Sequence, residues 1–246
     1  MRESLEGLIA LVTGASSGIG QATAYALARE GADVVIAARR EQRLNEIADD
    51  IREQSGADVG VAVTDITEEH QVKAMVQKCV DWGGTLDIVV NNAGILHTAD
   101  VEDTSTAEFD TLIGVNVRGM FLTARESLPH LREVNGNLTF VGSVAGRYPR
   151  PYSPLYAATK WWTRGFALSL AGAVGEEGVA ISVVGPDAVR TEIGQQEGES
   201  FRERFDESEA LEPEDVAEAI VFSTRQEAPV SIPELDLYLR NKFSHF

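Results

Sequence analysis

The chain has 246 residues, 43% hydrophobic and 24% charged, and its 39 acidic against 21 basic residues give a formal net charge of -18. This composition excludes a disordered, collagen-like or disulfide-stapled chain, and such a charge would repel a nucleic-acid backbone. No apolar run reaches the ~18 residues of a membrane span, and Met1 to Glu6 form a polar start without a signal-peptide core, so a cytoplasmic protein with no membrane partner is expected.

The predicted elements alternate strand and helix. Leu8 to Thr13 reads as the first buried strand, and Thr13-Gly14-Ala15-Ser16-Ser17-Gly18-Ile19-Gly20 joins it to a helix near 18–30. Asp33 to Ala38 is the second strand, with Arg39 and Arg40 leading into a helix over 41–54. Val59 to Val63 is the third, followed by a helix over 68–81 in which the single cysteine, Cys79, shares an apolar stripe with Val72, Met75, Val76 and Val80 and reads as core packing. Leu86 to Val90 is the fourth, closed by Asn91-Asn92-Ala93-Gly94, and a long helical segment over 106–132 carries Asn116. Asn137 to Val141 is the fifth, with Ser143 just beyond it, and the helix over 154–175 carries Tyr156 and Lys160. Val179 to Val184 is the sixth, followed by Pro186; Pro213, Glu214 and Asp215 open a helix over 213–224, and Leu235 to Leu239 is the seventh. Strand and helix alternating at this spacing predicts an α/β fold with one domain, a three-layer doubly wound parallel sheet, because parallel crossovers need helix-length connections. The acidic stretch over 191–211 exceeds a routine connection and is expected to form a lid.

In an open parallel sheet the ligand sits outside the carboxyl ends of the strands, where a glycine-rich turn lets backbone N–H groups and a helix N-terminus approach a pyrophosphate. The spacing here is G-x-x-x-G-x-G, which taken alone also suits a tight turn with close helix packing. Tyr156 and Lys160 stand four residues apart on one helix face, so the ammonium lies beside the phenol and favours its ionised form. Between Lys78 and Lys242 the sole lysine is Lys160, in a chain with 17 arginines and four lysines, as though this position needs a compact ammonium.

TGASSGIG at 13–20, Asp65 with Ile66 after the third strand, NNAG at 91–94, Asn116, Ser143 and YAATK at 156–160 together resemble the short-chain dehydrogenase/reductase family over nearly the whole chain. The resemblance implies a Rossmann-like sheet of about seven strands, a nicotinamide dinucleotide cofactor and a catalytic set of Asn116, Ser143, Tyr156 and Lys160. Tyr156 would be the general acid/base and Ser143 would hydrogen-bond the substrate oxygen. Lys160 would hold the ribose hydroxyls and lower the Tyr156 pKa, and Asn116 would anchor a proton-relaying water. Gly14, Ser16, Ser17, Gly18, Ile19, Gly20, Asp65, Ile66, Asn92, Ala93, Gly94, Tyr156 and Lys160 would line the cofactor site. The family often shows Pro-Gly-x-Val-x-Thr after the sixth strand, where this chain reads Pro186-Asp187-Ala188-Val189-Arg190-Thr191; Pro186, Val189 and Thr191 still carry over as cofactor contacts. The end, Pro233 to Tyr238, is similar to a subgroup that oxidises 3-hydroxy acids.

Enzymes of this architecture that use NAD place an acid at the end of the second strand for the ribose 2′-hydroxyl, whereas arginine suits a 2′-phosphate. Ala37 and Ala38 supply no acid and Arg39 and Arg40 follow, so the expected cofactor is NADP(H), with Arg39 as the phosphate contact. The expected activity interconverts a small-molecule secondary alcohol and a ketone, 3-hydroxy acids or 3-oxoacyl thioesters among them, the alternative being a cofactor-binding regulator without turnover. His70, His97, His130 and His245 lack metal-ligand spacing, so no metal is expected and surface or loop roles are the default; His97, just past NNAG and near the expected pocket, could alternatively touch substrate. Arg147, Arg150 and Arg190 flank the site and either bind a substrate carboxylate or balance the acidic surface. Dispersed acid, a dense patch from Glu197 to Glu218 and scarce lysine suggest a salt-adapted, halophilic protein. Surplus apolar side chains on the 106–132 and 154–175 helices, including Trp161, Trp162 and Phe166, suggest a homotetramer or homodimer.

Overall fold

The computed structural model describes residues 1–194 and 198–241. Seven parallel strands, β1 (Ile9–Thr13), β2 (Asp33–Ala38), β3 (Val59–Val63), β4 (Ile88–Asn91), β5 (Asn137–Val141), β6 (Ala180–Pro186) and β7 (Glu234–Leu237), form one sheet in the order β3-β2-β1-β4-β5-β6-β7. The order reverses between β1 and β4, and this crevice is where an open α/β sheet binds its ligand. Each central strand is apolar on both faces because helices cover both. Ala10, Val12, Val34 and Ile36 face a core closed by α1 (Gly18–Arg29), α2 (Glu41–Ser55) and α7 (Pro213–Thr224). Leu11, Val35, Val89 and Phe140 face the other core, under α3 (Glu69–Gly83), α5 (Met120–Val134) and α6 (Pro154–Val174).

Two elements depart from the sequence reading. The single helix expected over 106–132 is α4 (Thr106–Ile113), a π-helical stretch Gly114–Gly119, and α5. Gly119 passes so close to Ile66 that a Cβ there would lie 2.6 Å from its Cδ1, and the widened turn carries Asn116 into the interior. The seventh strand is shifted to Glu234–Leu237, ending where Tyr238 leaves the ladder with β6. Cys79 is fully buried as expected, and burial pushes its thiol up to about 12.

Of the side chains expected at a subunit interface, Phe166 packs edge-on against Phe140 and stacks with Trp162 at 4.7 Å, inside the protomer. Trp161, Phe109 and Phe121 stay exposed. The acids of α2, Glu41, Glu46, Asp49 and Glu53, face solvent, where Asp49 pairs with Arg52 at 2.7 Å and Glu46 with Arg43 at 3.6 Å. No helix among the described residues is long and apolar enough to cross a membrane.

β7 is an edge strand, and a cluster of charges holds it down. Arg164 grips Glu234 with two bonds of 2.6 and 3.0 Å, and Arg147 reaches Glu234 at 3.0 Å and Asp236 at 2.7 Å. The Arg164 bonds outweigh burial and keep the Glu234 carboxyl below its ordinary range, whereas burial raises that of Asp236. A depressed carboxylate stabilises the fold above its unfolded pKa and loses that contribution as pH falls through its folded one. Glu234→Gln should therefore lower the Tm at pH 7 by roughly 3–8 °C, on the order of 1–2 kcal/mol. The gap from wild type should close as pH drops well below 4.5, the ordinary value of this carboxyl; an unchanged Tm at pH 7 would contradict the role given to this cluster.

Candidate active site

The carboxyl ends of β1, β2, β4, β5 and β6 open onto a cleft of about 1420 Å³. It is lined by every residue expected to contact a cofactor except Gly20, and by Ser143, Tyr156 and Lys160 of the four catalytic candidates. Gly20 and Asn116 are buried behind its wall.

The Thr13 hydroxyl organises the floor. It accepts hydrogen bonds from the backbone N–H groups of Asn92 at 3.0 Å and Ala93 at 3.2 Å, and the Asn92 amide donates to the Thr13 carbonyl at 2.8 Å. The glycines of the turn serve this closeness. Gly14, at φ +67, would bring a Cβ within 2.8 Å of the Ala93 Cα, and a Cβ on Gly20 would stand 2.5 Å from the Gly14 carbonyl oxygen. Gly18, at φ +54, faces Thr191, whose Cγ2 would be 2.9 Å from a Cβ. Ser17 caps α1 without a side-chain bond and no acid stands in the first turn, so the positive end of the helix dipole is presented to the cleft. A groove of bare backbone ending on a helix N-terminus fits the pyrophosphate of a dinucleotide.

Beyond β2, Ala38 and Arg39 line the cleft, with Arg39 exposed. Arg40 folds back onto the glycine-rich turn, its Nε donating to the Ser16 hydroxyl at 3.1 Å and Nη2 to the Ser16 carbonyl at 3.0 Å. Burial works against the Asp65 charge, but two bonds donated by Thr67 and the Arg39 charge prevail and hold the carboxyl below its ordinary range.

At the other end, a short turn (Val144–Gly146) follows β5, and the Ser143 hydroxyl caps it by accepting from the Ala145 N–H at 3.1 Å. Tyr156 and Lys160 project from the first turns of α6, with Nζ 5.8 Å from the phenol ring centre. Lys160 is 5% exposed and donates to the Val141 carbonyl at 2.9 Å; burial alone pulls its pKa down to about 8. Burial pushes the Tyr156 phenol up to about 12, against a Ser143 hydrogen bond and the charge of Arg150. The Arg150 charge thus acts on Tyr156 together with the nearby Lys160 ammonium that the sequence pointed to. Asn116 spends its whole carboxamide on the chain itself. Oδ1 accepts from the Ile95 N–H at 2.8 Å, and Nδ2 donates to the Ile95 carbonyl at 2.9 Å and to Thr159 Oγ1 at 3.1 Å. Its side chain therefore positions the loop after β4.

The three flanking arginines separate. Arg147 belongs to the β7 cluster and Arg190 pairs with Glu212, while Arg150 lines the cleft, 4.0 Å from Asp187. His97 is engaged with Thr104 at 2.9 Å and does not line the cleft. Lys242 and His245 lie outside the described residues, as do residues 195–197 of the expected lid, Glu197 among them.

Sequence reasoning passed over Thr13, Thr159 and the apolar wall of the substrate end, formed by Tyr152, Ile193, Phe201 and Phe205. A signal for the wall existed: Ile193, Phe201 and Phe205 are isolated large apolar residues in an otherwise acidic stretch.

The sequence matches the short chain dehydrogenase family over residues 8–201, and the chain belongs to that family. It is 34% identical over 230 residues to an uncharacterized oxidoreductase of Staphylococcus epidermidis, covering 93% of this chain and 96% of the relative. Among solved structures, an alcohol dehydrogenase from Thermococcus sibiricus complexed with 5-hydroxy-NADP superposes with TM-score 0.87 at 29% identity, over 95% of this chain and 97% of that one. A 3-ketoacyl-(acyl-carrier-protein) reductase from Brucella melitensis complexed with NADH gives 0.85 at 34% identity, over 95% and 98%. The protein is an oxidoreductase of this family, and a nicotinamide dinucleotide is the cofactor its relatives support.

Because the Gly20 position is bounded by backbone, which cannot swing aside, Gly20→Ala should force the turn open. Overpacking of this kind is worth roughly 1–3 kcal/mol, and dinucleotide affinity should fall about tenfold or more. An unaltered Kd, measured by quenching of intrinsic fluorescence, would contradict this account of the turn.

Proposed function

We propose that the protein is an NADP(H)-dependent oxidoreductase that interconverts a secondary alcohol and a ketone, with Tyr156 as general acid/base. The observation that carries this reading is the convergence of Ser143, Tyr156 and Lys160 in one cleft with the glycine-rich turn and the open N-terminus of α1. When bound, the nicotinamide ring donates or accepts the hydride. Ser143 holds the substrate oxygen, and the Tyr156 hydroxyl gives a proton to that oxygen during reduction and takes it back during oxidation. Burial pushes the Tyr156 phenol up against the Ser143 bond and the Arg150 charge, and the Lys160 ammonium 5.8 Å from the ring centre favours its ionised form. Lys160 holds the ribose hydroxyls, and Asn116 keeps the loop behind them in register.

Arg39 at the end of β2, with no acid at Ala37 or Ala38, supports NADP(H) over NAD(H). The apolar wall of Ile193, Phe201 and Phe205 with Arg150 beside it suits a small substrate carrying an anionic or polar end, 3-hydroxy acids or 3-oxoacyl thioesters among them. Ile193, Phe201, Arg204 and Phe205 at the cleft support the reading of the 191–211 segment as a substrate lid. The exposed Phe109, Phe121 and Trp161 support self-association as a homodimer or homotetramer.

Tyr156→Phe should lower kcat by about 10² or more while leaving dinucleotide affinity nearly intact; substantial turnover by that variant would overturn the role of Tyr156. Arg39→Ala should weaken NADPH far more than NADH, by roughly ten- to hundredfold, the value of one charge-assisted bond of ~1.5–3 kcal/mol. Ala38→Asp should reverse the preference by repelling the phosphate and accepting from the free hydroxyl. A lower Kd of the wild-type protein for NADH than for NADPH, in dilute and in molar KCl, would contradict the NADP(H) assignment.

A further inference from the structure

An ion pair spans the mouth of the cleft. Arg40 Nη1 meets Glu192 Oε2 at 2.8 Å, while its other nitrogens are fixed to Ser16. The guanidinium is thereby held between the glycine-rich turn and the loop that follows β6. That loop is anchored at this point: Thr191 is 8% exposed and packs toward Gly18, and its carbonyl accepts from the Arg202 N–H at 3.0 Å. Glu192 is therefore delivered to Arg40 by a fixed backbone.

We infer that Glu192 sets the strength of discrimination between NADP(H) and NAD(H), by neutralising Arg40 at the place where the ribose 2′ position meets the end of β2. The inference rests on the NADP(H) reading of the site. The end of β2 is where an acid reads the 2′-hydroxyl in this architecture, and the residue there, Ala38, has no charge. Among the described residues, the charged groups that line the cleft beside β2 and the glycine-rich turn include Arg39, Arg40, Asp65 and Glu192. Asp65 is held by Thr67 and acted on by Arg39, which leaves Glu192 as the carboxylate set directly on Arg40. A 2′-phosphate held by Arg39 also meets the adjacent Arg40, and there it competes with Glu192 for the same guanidinium. The ion pair is 49% and 41% exposed and is correspondingly weak, whereas a phosphate binds a guanidinium through stronger charge-assisted bonds. NADP(H) then displaces Glu192 and meets its repulsion, while NAD(H) leaves the pair undisturbed. Glu192 thus moderates a preference that the arginines create.

Calorimetric titration of the full chain with 2′,5′-ADP and with 5′-AMP at low ionic strength tests this without turnover. Glu192→Gln should tighten 2′,5′-ADP about fivefold and change 5′-AMP by less than about twofold, with the gain shrinking in high salt. In an Arg40→Ala background the same substitution should alter 2′,5′-ADP by less than about twofold, because the competing partner is gone. Equal changes for both ligands would overturn the inference, as would a fivefold gain that persists without Arg40, since Glu192 would then act only as a nearby negative charge. Tighter binding of 5′-AMP than of 2′,5′-ADP by the wild-type chain contradicts the NADP(H) reading itself, whereas the coupling of Glu192 to Arg40 is judged from the variants.

Discussion

The cleft exists because one buried hydroxyl ties two strand ends together. Thr13, fully buried at the end of β1, accepts from the N–H groups of both Asn92 and Ala93 at the end of β4, across the point where the strand order reverses. Both N–H groups are satisfied by that one hydroxyl, which sets the spacing of the two loops. The glycines follow from that spacing. Gly14 and Gly20 stand where any side chain would collide with backbone or with Asn92, so the turn lies flat and leaves its outer face to a ligand. A motif commonly read as making room for phosphate makes room, in this chain, for its own neighbouring loop first.

The chemistry at the far end depends on burial acting on two groups in opposite directions. The same low-dielectric surroundings that push Tyr156 up pull Lys160 down, so each is shifted toward its neutral form. Arg150, which lowers the phenol, lines the same cleft, and Asp187 stands 4.0 Å from it.

What could be read from the sequence was what is local. The relation of Tyr156 to Lys160 is one helical turn, the glycine-rich segment is contiguous, and two-sided apolar strands announce a parallel sheet with helices on both faces. What escaped depends on which distant segment arrives at a place. Arg147, Arg150 and Arg190 are equivalent in the sequence, and the reach of Glu234 and Glu212 decides that Arg150 is the one in the cleft. Arg39 and Arg40 are adjacent, yet Ser16 and Glu192 claim the second. The break at Asn116 was hidden because glycines at 114 and 119 lower helix propensity without indicating a π turn, and the close approach of Ile66 to Gly119 comes from another loop.

In the proposed reaction the cleft moves a hydride between a nicotinamide dinucleotide and a carbonyl carbon while Tyr156 moves the proton. Incubation of the wild-type protein with NADPH deuterated at the reactive C4 position and a panel of ketones, 3-oxo acids and 3-oxoacyl thioesters, followed by mass spectrometry of the alcohols formed, tests it most directly. One deuterium on the carbinol carbon of at least one product is expected. Stoichiometric NADPH binding with no labelled alcohol from any member of the panel would contradict it.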